Sequence, residues 1–276
     1  MKTYTLVVIA IASMALLGCK KKAGKKESEA SGGTTAVKKE SKKLECDPKH
    51  KPKKFDDGKV RWCTLAEDYT VGGITCKRGR HVEFNLANRK LFQCTLAMDQ
   101  TIGGHKCAAQ PVQFHFNGKL NYCSLQKPKK YNGVLCTGKT AFHRQNGSLS
   151  YCDLAEQTAI GGFPCKAATA SFDTKGKLYL CYAAKAITVG GAKISAGTKI
   201  QPFGGPRIEY AETMSGSTIS FNAFKCSEMH FQKSGEPKKC KLAATVKIGD
   251  KEIPTKKWVC FDKSGKAVSG SGCVSL

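Results

Sequence analysis

A repeat of about 29 residues constrains this chain more than any other feature of its sequence. The motif that opens each unit reads CTLAEDYTVGGITC from Cys63, CTLAMDQTIGGHKC from Cys94, CSLQKPKKYNGVLC from Cys123 and CDLAEQTAIGGFPC from Cys152. The opening cysteines, with Cys181 as the fifth, are 31, 29, 29 and 29 residues apart. The fifth unit has Ile194 in place of its second cysteine, and a more diverged unit from Cys240 has Ile253 there. Such tandem units predict an array in which each unit buries its apolar side chains against its neighbours.

A second sequence element lies between these motifs and alternates apolar and polar residues around a turn. It reads VEFNLANRKLFQ from Val82, VQFHFNGKLNY from Val112, AFHRQNGSLSY from Ala141 and SFDTKGKLYL from Ser171, a pattern typical of β-hairpins. A two-residue turn at Asn117-Gly118 would place Cys123 and Leu125 on one face of the strand, with Leu120 and Tyr122 on the other. The fold class that we predict is all-β: a repeat array of β-hairpins, a flattened solenoid or a curling sheet, stapled by disulfides.

The 15 cysteines indicate an oxidising compartment. Without Cys19, 14 remain, and two pairings are open, between which the sequence alone does not decide. Pairing within the motif joins Cys63 to Cys76 but leaves Cys46 and Cys181 without partners. The frame that we prefer uses every cysteine: Cys46–Cys63, Cys76–Cys94, Cys107–Cys123, Cys136–Cys152, Cys165–Cys181, Cys226–Cys240 and Cys260–Cys273. The long spacings argue against zinc knuckles, and the CxxC motif of redox enzymes is absent.

The amino terminus has a basic start, an apolar run from Leu6 to Leu17 and a cysteine at position 19. The run is too short to span a bilayer and is typical of a secretory signal. The tetrapeptide Leu16-Leu17-Gly18-Cys19 resembles the lipobox of bacterial lipoproteins. That resemblance implies cleavage before Cys19, a diacylglycerol on its sulfur and an acyl chain such as palmitate on the new amino terminus, which would anchor the protein in a membrane. Lys20 resembles the outer-membrane sorting signal of enteric bacteria.

The repeats also resemble MORN-type repeats, which are tandem β-hairpins centred on glycine, and more closely the repeat lipoproteins of bacterial envelopes. MORN units are shorter and lack the paired cysteines. The resemblance implies a scaffold that binds proteins or phospholipid head groups. We therefore divide the chain into a signal peptide at 1–18, a lipid-anchored, Lys-rich disordered tether at 19–54, a Cys-rich β-repeat body at 55–210 and diverged carboxy-terminal repeats at 211–276.

The charge of the chain is strongly basic, with 46 Lys and Arg against 21 Asp and Glu and a formal net charge of +25. Of these, 14 basic and 5 acidic residues precede Phe55. The residues after Phe55 therefore include 32 basic and 16 acidic residues and carry a net charge of +16. Such a field attracts polyanions, among which we expect an anionic glycan or lipopolysaccharide, or an envelope protein as partner. Nucleic acid is less favoured, because no recognisable binding module is present. The same charge would also serve solubility alone.

The sequence contains no catalytic signature, and we predict no catalytic residues, no metal site and no cofactor. The six histidines, at positions 50, 81, 105, 115, 143 and 230, fall at different places in different units and are interpreted as surface residues. The Gly-Gly pairs at 72–73, 103–104, 161–162 and 190–191 are interpreted as turns rather than as phosphate loops. We therefore predict a non-catalytic, lipid-anchored protein of the bacterial outer membrane, facing the periplasm or the outside, that serves as an adhesion or interaction scaffold. The alternative is a structural envelope tether or spacer without a specific ligand.

Overall fold

The structure is a computed structural model that describes residues 43–143, 146–203 and 207–276. The predicted signal peptide, Cys19 and the tether up to residue 42 lie outside the described residues. The described residues belong to one unit built from β-strands. No helix among them is long and apolar enough to cross a membrane.

The strands follow one another in short runs along the described chain. In order they are β1 (Lys53–Lys54), β2 (Val60–Thr64), β3 (Tyr69–Val71), β4 (Ile74–Cys76), β5 (His81–Phe84), β6 (Leu91–Thr95), β7 (Gln100–Ile102), β8 (His105–Cys107), β9 (Pro111–Phe114), β10 (Leu120–Ser124), β11 (Lys129–Tyr131), β12 (Val134–Phe142), β13 (Leu149–Leu154), β14 (Thr158–Ile160), β15 (Phe163–Cys165), β16 (Thr169–Phe172), β17 (Leu178–Tyr182), β18 (Ile187–Val189), β19 (Ala192–Ile194), β20 (Lys199–Pro202), β21 (Ile208–Glu212), β22 (Ile219–Phe221), β23 (Phe224–Phe231), β24 (Pro237–Leu242), β25 (Val246–Ile248), β26 (Lys251–Ile253), β27 (Trp258–Phe261) and β28 (Ala267–Val268).

Most of the strands belong to one antiparallel meander, which we call the main sheet. It consists of β1, β2, β5, β6, β9, β10, β12, β13, β16, β17, β20, β21, β23, β24, β27 and β28, and each strand pairs with the ones before and after it in this order. Neighbours in the main sheet are therefore also neighbours in this order along the chain, as expected for a tandem array.

A second set of strands forms two-stranded hairpins between strands of the main sheet, which we call the small hairpins. They are β3–β4, β7–β8, β11–β12, β14–β15, β18–β19, β22–β23 and β25–β26. In the first, Val71 pairs with Ile74, so that Gly72 and Gly73 form a two-residue loop with φ of 57° and 79°. Positive φ at both positions is typical of a type I′ turn, which glycine adopts without strain. The prediction that the paired glycines are turn residues is confirmed.

The core lies between the main sheet and the small hairpins. The His105 ring of β8 lies 4.2 Å from the Phe142 ring of β12, and Phe224 of β23 lies 5.2 Å from Phe261 of β27. The main sheet contributes fully buried side chains from successive units, which include Val82, Val112, Ile200, Met229 and Val259. Each unit thus buries its apolar groups partly on the next one, and the predicted all-β repeat array stapled by disulfides is confirmed.

The fifth unit is built differently where its second cysteine is missing. In the first unit, the last residue of the small hairpin, Cys76, pairs with Leu96 at the end of a main-sheet strand. Ile194 instead pairs with Ile219, which joins β19 to β22, so that β18, β19, β22 and the start of β23 form a four-stranded piece of sheet. Ala211 occupies the position in β21 that Cys181 has in β17. Ile194 is 1% exposed and Ala211 0%, so buried apolar side chains stand where the four preceding units have a disulfide.

The hairpin turn at Asn117-Gly118 differs from the predicted one. The N–H of His115 donates to the carbonyl oxygen of Lys119, and the N–H of Gly118 donates to the carbonyl oxygen of His115. The loop therefore contains three residues, 116–118, with Gly118 in the left-handed conformation at φ 84°. This is a type I turn closed by a glycine bulge, and the predicted two-residue turn is wrong.

The longer turn changes the register of the strands that it joins. Leu120 pairs with Phe114, and a second irregularity follows between Leu120 and Tyr122. Because the extra residue of a bulge reverses the side-chain alternation, Leu120 and Cys123 lie on the same buried face, with exposures of 8% and 1%. The prediction that they lie on opposite faces is wrong.

The folded body begins earlier than the predicted boundary at Phe55. Cys46 forms a disulfide with Cys63, and β1 pairs with β2, so residues 46–54 belong to the body rather than to the tether. The predicted boundary between 210 and 211 falls inside β21, which pairs on both sides with main-sheet strands.

Candidate interaction surface

The predicted disulfide residues come together in seven pairs, and each pair joins cysteines 13–18 residues apart. The structure joins Cys46–Cys63, Cys76–Cys94, Cys107–Cys123, Cys136–Cys152, Cys165–Cys181, Cys226–Cys240 and Cys260–Cys273. These are the pairs of the frame that begins at Cys46, and the alternative pair Cys63–Cys76 is not formed. The predicted lipidation residue, Cys19, lies outside the described residues.

The six histidines are distributed over the body and do not form a cluster. His81 stacks on Trp62 with ring centroids 4.5 Å apart, and His50 lies 3.4 Å from Asp47. In the described ranges 43–143, 146–203 and 207–276, no three His, Cys, Asp or Glu side chains come together as a possible metal site.

Two histidines recur at the same place in adjacent units, contrary to the prediction that all six positions differ. Nε2–H of His115 donates to the carbonyl oxygen of Phe142, and Nε2–H of His143 donates to that of Phe172, both at 2.9 Å. Each histidine follows a main-sheet strand and contacts the next unit. These contacts tie successive units together and leave the two imidazoles engaged with backbone groups.

The face of the main sheet opposite the core carries a ladder of polar side chains at its amino-terminal end. Nε2 of Gln113 donates to Oε1 of Gln93, and Nε2 of Gln93 donates to Oε2 of Glu83, each at 3.0 Å. Arg61 completes the ladder with a guanidinium nitrogen 3.6 Å from Glu83. Because these groups hydrogen-bond to one another, part of their bonding capacity is already used within the protein.

An aromatic cluster lies near the carboxy-terminal end of the same face. The ammonium of Lys239 lies 4.5 Å from the centre of the Trp258 ring, and that of Lys241 lies 5.9 Å from it. The His230 ring lies 5.4 Å from Trp258. Burial and the charge of Lys239 lower the pKa of His230, so the folded protein favours the neutral imidazole.

The carboxylate of Glu228 connects this cluster to the neighbouring strand. Lys241 donates to it at 2.6 Å, and the Tyr210 hydroxyl donates to it at 3.1 Å. Burial opposes ionisation of Glu228, but these hydrogen bonds outweigh it and lower the pKa of the carboxyl group. Burial and the nearby carboxylates raise the pKa of Tyr210. The cluster is thus an internally paired patch rather than a set of free charges.

A groove of about 400 Å³ opens where the small hairpins β11–β12 and β14–β15 lie over β16 and β17. It is lined by apolar side chains such as Ile160, Phe163 and Leu178, with Tyr131 and Lys177 among its polar residues. Burial raises the pKa of Tyr131 to about 12, and its hydroxyl lies 2.8 Å from Nδ1 of His105. No carboxylate or histidine is among the described residues that line the groove.

A net positive charge lies on the segments that carry the small hairpins, which we call the hairpin segments: residues 66–80, 97–110, 126–138, 155–168, 184–198, 213–226 and 243–257. Their basic residues are Lys77, Arg78, Arg80, Lys106, Lys127, Lys129, Lys130, Lys166, Lys185, Lys193, Lys225, Lys247, Lys251, Lys256 and Lys257. Their acidic residues are Glu67, Asp68, Asp99, Glu156, Asp250 and Glu252. Fifteen cations and six carboxylates give the hairpin segments a net charge of +9, out of the net charge of +16 on all residues after Phe55. All fifteen cations are exposed.

Sequence reasoning did not single out these segments because it summed the charge over the whole body. The signal was nevertheless present: the segments 126–138, 184–198 and 213–226 contain six Lys and no Asp or Glu. Their shared location became apparent only once the Gly-Gly motifs and their equivalents were placed on one layer of the fold.

Comparisons with known proteins do not place this chain in a family. No protein family model matches it, and no curated protein matches it. Four chains of solved structures match, one of which is an alternansucrase in complex with isomaltononaose, 13% identical over 81% of this chain. This chain spans 17% of the length of that protein, and the TM-score is 0.14, a likeness that carries no argument about fold or function.

Proposed function

We propose that this protein is a non-catalytic, lipid-anchored protein of the bacterial envelope whose repeat body binds polyanions. The observation that carries the proposal is the charge of the hairpin segments, where fifteen exposed cations stand against six carboxylates. An excess of exposed charge of one sign sums into a field that attracts a polymer of opposite sign.

The disulfides support this function by holding the charged layer in place. Buried cysteines such as Cys107 and Cys136, each at the end of a small hairpin, tie that hairpin to a strand of the main sheet. Without these ties, like charges on neighbouring hairpins would favour separation of the layer from the sheet. The anchor rests on the resemblance of Leu16–Cys19 to a lipobox, and the outer-membrane location on Lys20.

The experiment separates the body from the tether, which is also basic. A chain that starts at Lys43 keeps Cys46 with its partner Cys63, and a synthetic peptide of residues 20–42 represents the tether. We expect the chain from Lys43 to bind heparin and lipopolysaccharide, with an affinity that falls steeply between 50 and 300 mM salt because counterions are released on binding.

Calorimetric titration of both molecules at equal ionic strength measures this. Binding carried entirely by the peptide would contradict the proposal and leave the body as a spacer. A single exposed substitution that abolishes binding by the body would also contradict it, since a field summed over many cations has no single anchor.

A further inference from the structure

The four-stranded piece formed by β18, β19, β22 and the start of β23 presents one straight row of side chains to solvent. Thr188 pairs with Lys193, Lys193 pairs with Ser220, and Ser220 pairs with Lys225. In β19, β22 and the start of β23 the flanking residues are buried, in β18 they are half-buried, and both lysines are exposed. The four side chains therefore stand on the same outward face, in the order hydroxyl, ammonium, hydroxyl, ammonium.

The strands of the row carry charges of a single sign, and the nearest acidic residue that the structure places against their hairpin is Glu236, whose backbone lies against Gly190. The segments that supply it, 184–198 and 213–226, contain three Lys and no Asp or Glu. Within the part of the chain that the structure describes, no carboxylate forms an ion pair with Lys193 or Lys225. Both ammonium groups are thus available to an external anion, unlike Lys241, which is paired with Glu228.

The row lies in the fifth unit, whose small hairpin has no disulfide and pairs with the next small hairpin. Other small hairpins, such as β7–β8 and β14–β15, form separate two-stranded sheets. The middle residue pair of each hairpin, Thr101 with Lys106 or Ala159 with Pro164, faces outward. No further hairpin strand pairs beside it to extend the row. The pairing of β19 with β22 places Lys193 and Lys225 two strands apart, a separation of about 10 Å.

We propose that this row, Thr188-Lys193-Ser220-Lys225, is a binding site for a linear anionic polysaccharide that runs across the strands. The proposal rests on the function proposed above and assigns it to one place. Two ammonium groups about 10 Å apart match a polymer with an anionic group on each disaccharide. The hydroxyls of Ser220 and Thr188 alternate with them, where they can donate to a sulfate or carboxylate and accept from a sugar hydroxyl.

A lipid surface fits the row less well. None of the large exposed apolar side chains of the described residues, which are Leu86, Met98, Phe116, Tyr179 and Met214, belongs to these four strands. The side chains of the row are hydroxyls and ammonium groups. A flat polar row of this kind favours an extended polymer over insertion into a bilayer.

The test compares two pairs of charge-neutralising substitutions in the full chain. Lys193→Gln with Lys225→Gln removes the ammonium groups of the row. Lys90→Gln with Lys119→Gln removes the same charge from two exposed lysines in hairpin turns of adjacent units at the other end of the strands. All four positions are exposed, so both variants should fold, and unchanged circular dichroism and non-reducing mobility check this.

Heparin is the probe, measured by titration at 150 mM salt. We expect the row variant to bind heparin about three- to thirtyfold more weakly than the wild type. The affinity of the turn variant should differ from that of the wild type by less than about twofold. The slope of log Kd against log salt should fall by about 1.5 in the row variant. Ser220→Ala, which leaves the charge unchanged, should weaken binding by about twofold to fivefold.

Each other outcome has a defined meaning. Equal losses in the two charge variants would overturn the row as a site but leave polyanion binding by the body intact. No binding of heparin by the wild-type chain would overturn both proposals. If the row substitutions lowered binding to phosphatidylglycerol vesicles and left heparin unaffected, the row would be a lipid contact and the polysaccharide assignment would be wrong.

Discussion

Two regions of the molecule differ in what occupies the last position of the small hairpin and its partner position on the main sheet. These regions are residues 46–181 and the region around Ile194. In the first region, four disulfides tie small hairpins to the main sheet, and a fifth ties Cys46, which precedes β1, to Cys63. In the second, Ile194 and Ala211 occupy the two cysteine positions as buried apolar side chains. The comparison shows that a hairpin without the bond can take another partner: β19 pairs with the next hairpin instead of ending on the sheet. The hairpin β25–β26, which ends at Ile253 and also lacks the bond, remains a separate two-stranded sheet.

The largest difference between the two regions is expected when all disulfides are reduced. Each bridge closes a loop of 13–18 residues and contributes about 3 kcal/mol in the chain-entropy model, so the seven together exceed the stability of a typical domain. We expect reductant to remove hydrogen-exchange protection first from β7, β8, β14 and β15. The amides of β18 and β19, whose hairpin has no disulfide, should keep theirs longer. Hydrogen exchange followed by mass spectrometry measures the order, and a uniform loss would contradict it.

A smaller effect is expected when the missing bridge is built. Ile194→Cys combined with Ala211→Cys places a cysteine at both positions that the other units use. A disulfide that closes this loop should raise the free energy of unfolding by about 3 kcal/mol, since the loop is as long as those of the native bridges. Denaturation with and without reductant gives the difference, and peptide mapping identifies the bond. If both cysteines stay reduced, β19 has moved away from the main sheet and the two regions are not equivalent.

The smallest effect is expected from pH, through a difference between two bridged units. His105 of β8 occupies the position that Val134 has in β12, directly after the turn. Burial and the charge of Lys129 lower the pKa of His105, so the folded protein favours the neutral imidazole. Its contribution to stability is fully present above pH 6.5 and is lost as the pH falls through the lowered pKa. We expect His105→Val to reduce the fall in Tm between pH 7 and pH 5, measured by thermal melts; an unchanged fall would contradict this.

The repeat and the disulfide frame could be predicted because both depend on local sequence. Cys46 and Cys181 both find partners only in the frame that begins at Cys46. Turn positions such as those of Gly72-Gly73 have positive φ values, which residues other than glycine rarely adopt. The turn at Asn117-Gly118 could not be predicted correctly, because an Asn-Gly pair fits both a two-residue turn and the end of a three-residue turn with a bulge. No particular residue type in the sequence marks the position of the bulge after Leu120.

The site was harder to predict than the fold. The row of Lys193 and Lys225 depends on the pairing of β19 with β22, which joins segments separated by a complete hairpin of the main sheet. Sequence alone showed Ile194 as the loss of a cysteine and gave no sign of the new partner. The absence of acidic residues from 184–198 and 213–226 was visible in the sequence, but its meaning required the two segments to be neighbours.

The order of the disulfides along the chain has a consequence for how the protein is made. Among the residues that the structure describes, every bridge joins a cysteine to the next one in sequence, and no bridge encloses another. As the chain emerges amino terminus first, each cysteine meets its native partner before any later one is available. Oxidation in order of emergence therefore produces the native set directly, and maturation requires an oxidant but no reshuffling of mispaired bonds.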